Sequence, residues 1–327
     1  MASDVELLER AARARSQLID ALAVNVVGQR EVIDLMLVTL LARGHALLVG
    51  VPGLAKTLLV SSLASALDLG FGRVQFTPDL LPADITGTDA LHDEVDAEGR
   101  ARRSIRFLPG PIFHNLILAD EINRTPPKTQ AALLQAMQER NVTVGNQTHA
   151  LPSPFQVFAT RNPIEQEGTY PLPEAQLDRF LLEIEVGYPS EVDEREVARR
   201  TTSARVATVP CVLGVEALHE LQGLVPRVPV TDEAVAFAVA LTRRTRPEEG
   251  DSFVRDHVRF GAGPRGSQSL VLAAKAAAAL RGAPVADVDD VRAHVICVLR
   301  HRLVLSHRAE AEGMKAGDVL ERLLKAV

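Results

Sequence analysis

The loop Gly50-Val51-Pro52-Gly53-Leu54-Ala55-Lys56-Thr57, with Leu58 directly after it, decides the fold of this chain. It follows an apolar run at 45–49 and precedes a helical pattern over 57–67. In that setting a glycine-containing loop can wrap its backbone N–H groups around phosphates at a helix N-terminus. Lys56 is then placed to reach the β- and γ-phosphates, and the Thr57 hydroxyl to ligate Mg²⁺. We therefore expect a site for a nucleoside triphosphate with Mg²⁺.

One position departs from the usual pattern G-x-x-x-x-G-K-[ST]. Ala55 stands where the second glycine is expected. A methyl group is tolerated at that position if the backbone φ angle is not positive, so the match to the motif is slightly weaker.

A second motif, NLILADE at 115–121, is an apolar strand that ends in two acids. Asp120 can hold Mg²⁺, usually through water, and Glu121 can polarise the attacking water. The alternative is a solvated acidic turn, which is common at strand ends. The phosphate-binding loop earlier in the chain favours the catalytic interpretation.

Two further polar positions follow predicted elements. The strand at 155–159 runs into Asn162, which is either an ordinary Asn-Pro turn or a ligand of the γ-phosphate or the attacking water. Arg179 ends a predicted helix, and it is either a helix-terminal charge or an arginine finger offered to a neighbour's nucleotide. The residues alone leave both alternatives open.

Composition limits the class of protein. A chain of 327 residues, 46% of them hydrophobic, suggests two folded domains of about 150 residues each. A formal net charge of −6 argues against a general nucleic-acid or anionic-membrane binder. Cys211 and Cys297 lie far apart, so we expect two buried thiols rather than a disulfide or zinc site. No apolar run reaches about 18 residues and the start does not resemble a signal peptide, so we expect a cytoplasmic protein without membrane insertion.

The pattern of elements predicts an α/β fold. A capping box at Ser3 and Glu6 opens a helix that runs to about Leu22. Short apolar runs at 45–49, 73–77, 116–119, 155–159 and 181–186 alternate with helical patterns, which indicates a parallel sheet covered by helices. Two segments do not fit a simple crossover, an insertion at 78–113 and a predicted β-hairpin at 140–154.

Residues 1–200 thus form an α/β core with N-terminal helices, and residues 201–327 form a smaller all-α domain after a linker at 201–213. After about Pro189 the strand signal stops, and helical patterns follow at 190–202, 214–224, 231–245, 264–280, 287–307 and 315–325. On the helix at 287–307, we expect His301, which lies between Arg300 and Arg302, and His307 to be on a solvated or interface face rather than in a ligand site.

Several stretches together resemble the MoxR family of AAA+ ATPases. They are GHALLVGVPGLAKT (44–57), QFTPDLLPADITG (75–87), FLPGPIF (107–113), DEINR (120–124) and LPEAQLDRF (172–180). The resemblance covers nearly the whole chain. It implies a P-loop AAA+ core with a parallel sheet, an insertion in the second helix and a hairpin before the first sensor strand, followed by an all-α lid. It also implies a homo-oligomeric ring, typically a hexamer, with ATP and Mg²⁺ bound between neighbouring subunits.

The resemblance also assigns residue roles. It makes Asn162 sensor 1, Arg179 the arginine finger and Arg265 sensor 2 at the start of a lid helix. The segment Val27, Gly28 and Gln29 matches the part of the family that packs on the adenine.

Three hypotheses for function follow. The leading one is an ATP-driven, chaperone-like protein that remodels or matures a protein partner; the resemblance suggests a partner with a von Willebrand factor A domain. The second is a nucleotide-dependent scaffold or transcriptional co-regulator. The third is a DNA motor, which the negative charge and the lack of a separate DNA-binding domain count against, so we do not expect nucleic acid as a partner.

Overall fold

The computed structural model describes residues 3–95, 101–164, 168–202 and 208–326. The helices are α1 (Asp4–Leu22), α2 (Arg30–Leu41), α3 (Lys56–Ala66), α4 (Pro82–Thr86), α5 (Pro127–Glu139), α6 (Glu174–Leu177), α7 (Glu191–Thr201), α8 (Val215–Leu224), α9 (Asp232–Arg244), α10 (Ser252–His257), α11 (Pro264–Arg281), α12 (Val288–Leu299), α13 (His307–Ala311) and α14 (Ala316–Lys325). The strands are β1 (Ala46–Val49), β2 (Phe71–Gln75), β3 (Gly87–Val95), β4 (Ala101–Pro109), β5 (Leu116–Asp120), β6 (Asn141–Val144), β7 (Gln147–Ala150), β8 (Gln156–Arg161), β9 (Leu182–Glu185), β10 (Val258–Phe260) and β11 (Val304–Leu305).

The core is a five-stranded parallel sheet with the strand order β2-β5-β8-β1-β9. All four residues of β1 are buried, and they alternate between two apolar layers. Leu48 contributes to one layer and Leu47 to the other. The sheet is thus covered on both faces, which explains why its strands read as continuous apolar runs and confirms the α/β prediction.

The N-terminal helix begins as predicted. The backbone N–H of Glu6 donates to Ser3 Oγ (3.3 Å), and the backbone N–H of Ser3 donates to Glu6 Oε2 (2.8 Å). This reciprocal capping satisfies two amides that the first helical turn would otherwise leave without partners. The helix ends at Leu22, also as predicted.

Both irregular segments form hairpins. The insertion between β2 and β5 contains α4 and the antiparallel pair β3–β4. The second hairpin is β6–β7, which directly precedes β8. The rings of Phe107 in β4 and His149 in β7 stack with centroids 3.9 Å apart, so the two hairpins are packed against each other.

The second domain is helical, with one addition that the sequence did not predict. Strands β10 and β11 form a short antiparallel pair. The helix expected over 287–307 is therefore interrupted: α12 ends at Leu299, a 3-10 turn covers Arg300–Arg302, and β11 follows. The prediction of a solvated face is wrong for His301 and Arg302, because both residues are buried against the core. Of the predicted linker, residues 203–207 lie outside the described residues.

The two parts share one apolar layer. Buried side chains of α1, α2 and β9 belong to the same cluster as those of α11 and α12. The division at residue 200 therefore stays a prediction. Of the two thiols expected to be buried, Cys297 is buried, but Cys211 is exposed and that expectation was wrong.

Candidate nucleotide-binding site

The phosphate-binding loop connects the carboxyl end of β1 to α3. A Cβ atom at Gly50 would lie 2.5 Å from the carbonyl oxygen of Val186, so only glycine fits there. Lys56 is the first residue of α3, and its Nζ donates to the carbonyl oxygens of Gly50 (2.5 Å) and Val51 (2.8 Å). The ammonium group thus lies inside the loop, where the N-terminus of α3 also favours an anion.

Ala55 adopts a left-handed conformation, with φ 56° and ψ 23°. The condition under which a methyl group would be tolerated at this position is therefore not met. For a residue with a Cβ atom this conformation costs roughly 1–2 kcal/mol. The chain thus carries local strain in the loop that would hold the phosphates.

The two acids lie at the carboxyl end of β5, beside β8. Thr160 on β8 connects them: its hydroxyl donates to Asp120 Oδ1 (2.6 Å) and accepts from the backbone N–H of Glu121 (2.8 Å). Both acids, Thr160 and Asn162 line a cavity of about 420 Å³ together with residues 52–58 of the loop. The fold therefore brings the predicted loop, acids and sensor 1 to one site.

Three residues contact the acids, and the sequence analysis did not predict these contacts. Arg73 Nη2 lies 2.8 Å from Asp120 Oδ2, Gln75 Nε2 donates to Glu121 Oε2 (2.9 Å), and Arg124 Nε lies 3.0 Å from the same oxygen. Arg73 and Gln75 alternate along β2, whose register places Gln75 opposite Asp120. Polar alternation on an otherwise apolar strand was the available signal, but the pairing of β2 with β5 was needed to interpret it.

Asn162 follows β8 and is buried, with Oδ1 accepting from the backbone N–H of Ile164 (3.2 Å). The preceding Arg161 lies 3.7 Å from Glu183 on β9. Burial raises the pKa of Glu183, and the charges of Arg161 and Arg300 oppose that shift.

The segment predicted to contact adenine lies beside the loop. Gly28 has φ 74°, and a Cβ atom there would collide with the Asp193 side chain. Gln29 Nε2 donates to the carbonyl oxygen of Leu54 (3.4 Å). Its Oε1 is buried and has no hydrogen-bond partner among the described residues. A buried acceptor of this kind fits an exocyclic amine such as that of adenine.

The residues present fit ATP and Mg²⁺. The loop supplies backbone N–H groups and the Lys56 ammonium group for phosphates. Thr57 and Asp120 line one cavity and offer the hydroxyl and carboxylate oxygens that Mg²⁺ prefers.

Arg179 and Arg265 lie elsewhere. They line a separate cleft of about 290 Å³, with His45 and Asp178 on its wall. Arg179 precedes β9, whose Leu182 pairs with the first residue of β1, whereas the phosphate-binding loop follows the last residue of β1. The strands are parallel and four residues long, so Arg179 and the loop lie at opposite ends of these strands, about 13 Å apart along them.

Comparison with known proteins agrees with this architecture. Residues 45–182 match the model of the ATPase family associated with various cellular activities (AAA), and residues 251–323 match the AAA lid domain. The chain is 43% identical over 329 residues to Chaperone MoxR1 of Mycobacterium tuberculosis, covering 100% of this chain and 83% of that protein. It is 35% identical to Protein MoxR of Paracoccus denitrificans, covering 86% of each. A crystal structure of a Cytophaga hutchinsonii protein superposes with a TM-score of 0.89 at 38% identity, covering 98% of this chain and 96% of that one.

A parallel sheet with a phosphate-binding loop, two acids at the end of an adjacent strand and a helical lid defines the fold of an AAA+ ATPase. Within that class, this chain belongs to the MoxR family. Within the described ranges, no helix is both long and apolar enough to cross a bilayer.

Proposed function

We propose that this protein hydrolyses ATP as a ring-shaped homo-oligomer, and that hydrolysis drives chaperone-like remodelling of a protein partner. One observation carries the oligomeric part of the proposal: Arg179 and Arg265 share a cleft at the end of the strands opposite the phosphate-binding loop.

Within one subunit, the residues divide the chemistry of phosphoryl transfer. Lys56 binds the β- and γ-phosphates, and Thr57 and Asp120 hold Mg²⁺, which neutralises charge on the phosphate oxygens when it is bound. Glu121 orients the attacking water and accepts its proton. Asn162, on the neighbouring strand, contacts the γ-phosphate or that water.

Within one subunit Lys56 is the cation on the phosphates, and Arg179 is too far away to add a second one for the charge that develops on the γ-phosphate in the transition state. An arginine side chain reaches about 7 Å from its Cα atom, which is too short to span the sheet from Arg179. Among the described residues the Arg179 guanidinium group has no hydrogen-bond or ion-pair partner, as expected of a finger that awaits a ligand. We infer that Arg179 and Arg265 both act on the nucleotide of a neighbouring subunit.

The nature of the partner rests on relatives. One relative is named a chaperone, which supports a role in remodelling or maturing another protein. We further propose that the partner carries a von Willebrand factor A domain and that this protein acts in the cytoplasm. A nucleotide-dependent scaffold is the alternative, and it predicts that a partner leaves the rate of ATP hydrolysis unchanged.

The test is complementation between two inactive variants. Arg179→Ala chains bind ATP but receive no finger from one another, and we expect hydrolysis at least about tenfold slower than in the wild type. Lys56→Ala chains do not hold ATP but carry an intact Arg179. Mixed rings should recover activity, because a Lys56→Ala chain lends its arginine to an Arg179→Ala neighbour.

Each variant alone, at the same total concentration, is the control. Recovery in the mixture that exceeds the sum of the two separate rates supports action between subunits. No recovery in well-mixed rings would contradict the proposal and would leave Arg179 as a helix-terminal charge.

A further inference from the structure

We propose that Arg302 of the lid is a positioning residue for the arginine finger, acting through Asp178. The inference rests on the proposed function, because it assumes that Arg179 serves a neighbouring subunit.

Arg302 holds the chain on both sides of Arg179. Its Nε donates to Asp178 Oδ1 (2.8 Å), and its Nη2 donates to the carbonyl oxygen of Phe180 (2.8 Å). Its Nη1 lies 3.3 Å from the carbonyl oxygen of Leu181. The residues before and after the finger are thus bonded to one guanidinium group.

That guanidinium group is well fixed. The Arg302 side chain is 3% exposed, whereas that of its partner Asp178 is 29% exposed. Nη2 also donates to Ser269 Oγ (3.1 Å) on α11, the helix whose second residue is Arg265. Burial lowers the pKa of Arg302, and the Asp178 carboxylate opposes that shift. One side chain therefore connects the segment of the finger to the helix of sensor 2.

The charge arrangement gives Asp178 a specific task. This carboxylate belongs to the residue before Arg179, so its bonds fix the backbone that carries the finger. One of its oxygens is bonded to Arg302, and the other lies 3.7 Å from Arg265. Removing Asp178 would detach the residue before the finger, and removing Arg302 would also leave the carbonyl groups of Phe180 and Leu181 without these donors.

The alternative is that Arg302 only fastens the lid to the core. The same turn offers other contacts of that kind, since Arg300 bonds to Glu183 and Glu185 on β9. Fastening of the lid and positioning of the finger predict a loss of activity in different subunits. A loosened lid harms a chain both as the holder of ATP and as the donor of the finger. A misplaced finger harms the chain only as donor.

The experiment uses the mixed rings of full-length chains described above. Asp178→Ala is added either to the Lys56→Ala chain, which donates the finger, or to the Arg179→Ala chain, which holds ATP. In the donor we expect the recovered activity to fall at least about tenfold, as for loss of the finger itself. In the holder we expect it to stay within about twofold, because that chain has no finger to position. ATP binding by the Asp178→Ala single variant should match the wild type.

Asp34→Ala is the control, because Asp34 forms an ion pair with Arg15 (2.7 Å, side chains 27% and 29% exposed) away from both clefts. It should change recovery in neither position. Arg302→Ala should repeat the pattern of Asp178→Ala, and the Asp178 variant decides the matter if Arg302→Ala does not fold. Equal losses in both positions, or no loss in either, would overturn the inference. Absence of recovery in the parent mixture overturns the proposed function and this inference with it.

Discussion

The side-chain amide of Gln75 donates a hydrogen bond to the carboxylate of Glu121, with 2.9 Å between Nε2 and Oε2. Arg124 Nε lies 3.0 Å from the same oxygen, and the Glu121 backbone has a positive φ of 57°. A non-glycine residue held in this conformation is characteristic of functional sites, where the surrounding structure over-determines it. The orientation of Glu121 thus depends on β2 and on the turn after β5, whereas Lys56 depends on the loop after β1.

This separation predicts different defects for the two residues. Lys56→Ala should abolish useful nucleotide binding, because the ammonium group contacts phosphates in the ground state. Glu121→Gln should bind ATP about as well as the wild type but hydrolyse it at least about a hundredfold more slowly, because only the attacking water loses its base. Calorimetric binding of ATP and steady-state phosphate release measure the two effects. Hydrolysis by Glu121→Gln at near the wild-type rate would show that another residue is the base.

A second prediction concerns the strain at Ala55. Ala55→Gly should raise the free energy of unfolding by about 1 kcal/mol, because glycine adopts φ 56° without the steric cost that alanine pays. Urea unfolding followed by circular dichroism measures the change. The matched reverse variant is Gly53→Ala, where φ is 86° and no atom lies within 4 Å of the added methyl group.

Gly53→Ala should lower the free energy of unfolding by a similar amount, about 1 kcal/mol, since it introduces backbone strain without a collision. Opposite signs for the two substitutions are the expected outcome. A destabilised Ala55→Gly protein would mean that the loop does not hold this conformation in solution.

A third prediction is assembly promoted by ATP. A nucleotide that is bound by one subunit and contacted by Arg179 of the next should strengthen their interface. Sedimentation with a non-hydrolysable ATP analogue should therefore show a large species that is less populated without nucleotide. Lys56→Ala, which does not bind the analogue, should not respond to it. A strict monomer whose rate of hydrolysis per chain is independent of concentration would refute this prediction.

A fourth prediction concerns acid stability and His45. The backbone N–H of Val157 donates to His45 Nδ1 (2.9 Å), and Nε2 lies 3.3 Å from the carbonyl oxygen of Met137, so the buried ring is neutral. Burial lowers the pKa of His45 to about 4. Between that value and the unfolded pKa near 6.5, the unfolded chain binds the extra proton, so the free energy of unfolding falls as pH falls.

His45 should lower the free energy of unfolding by about 2 kcal/mol when the pH falls from 7 to 5. His45→Gln, which keeps one donor and one acceptor, should therefore lose about that much less stability than the wild type between pH 7 and pH 5. Urea unfolding at both pH values measures it. His294 and His301 have pKa values lowered by burial, so part of the dependence should remain. If the free energy of unfolding of His45→Gln falls with pH as steeply as that of the wild type, His45 is not a source of the pH dependence. The control is His307→Gln, because His307 is exposed.

Much of the site could be predicted because its signals are local. A strand, a loop with Lys56 and a helix follow one another without interruption, and Asp120 and Glu121 end a strand of their own. The capping box at Ser3 is equally local, since the interacting groups lie three residues apart. In each case the residues that determine the structure are neighbours in sequence, so periodicity and capping chemistry suffice to predict it.

The tertiary structure alone decided which distant residues meet. Arg73 and Gln75 became part of the site only through the register between β2 and β5, and Arg302 reaches Asp178 across 124 positions of the chain. The break in the helix predicted at 287–307 has the same origin, because the buried turn at Arg300–Arg302 bonds to the start of β9 and β11 pairs with β10. The sequence by itself determined the phosphate-binding loop, the acids and the order of the elements. The partners of the acids, the end of the strands that carries Arg179 and the left-handed backbone of Ala55 were set by packing between segments far apart in the chain, because no local pattern encodes a contact made by long-range strand pairing and burial.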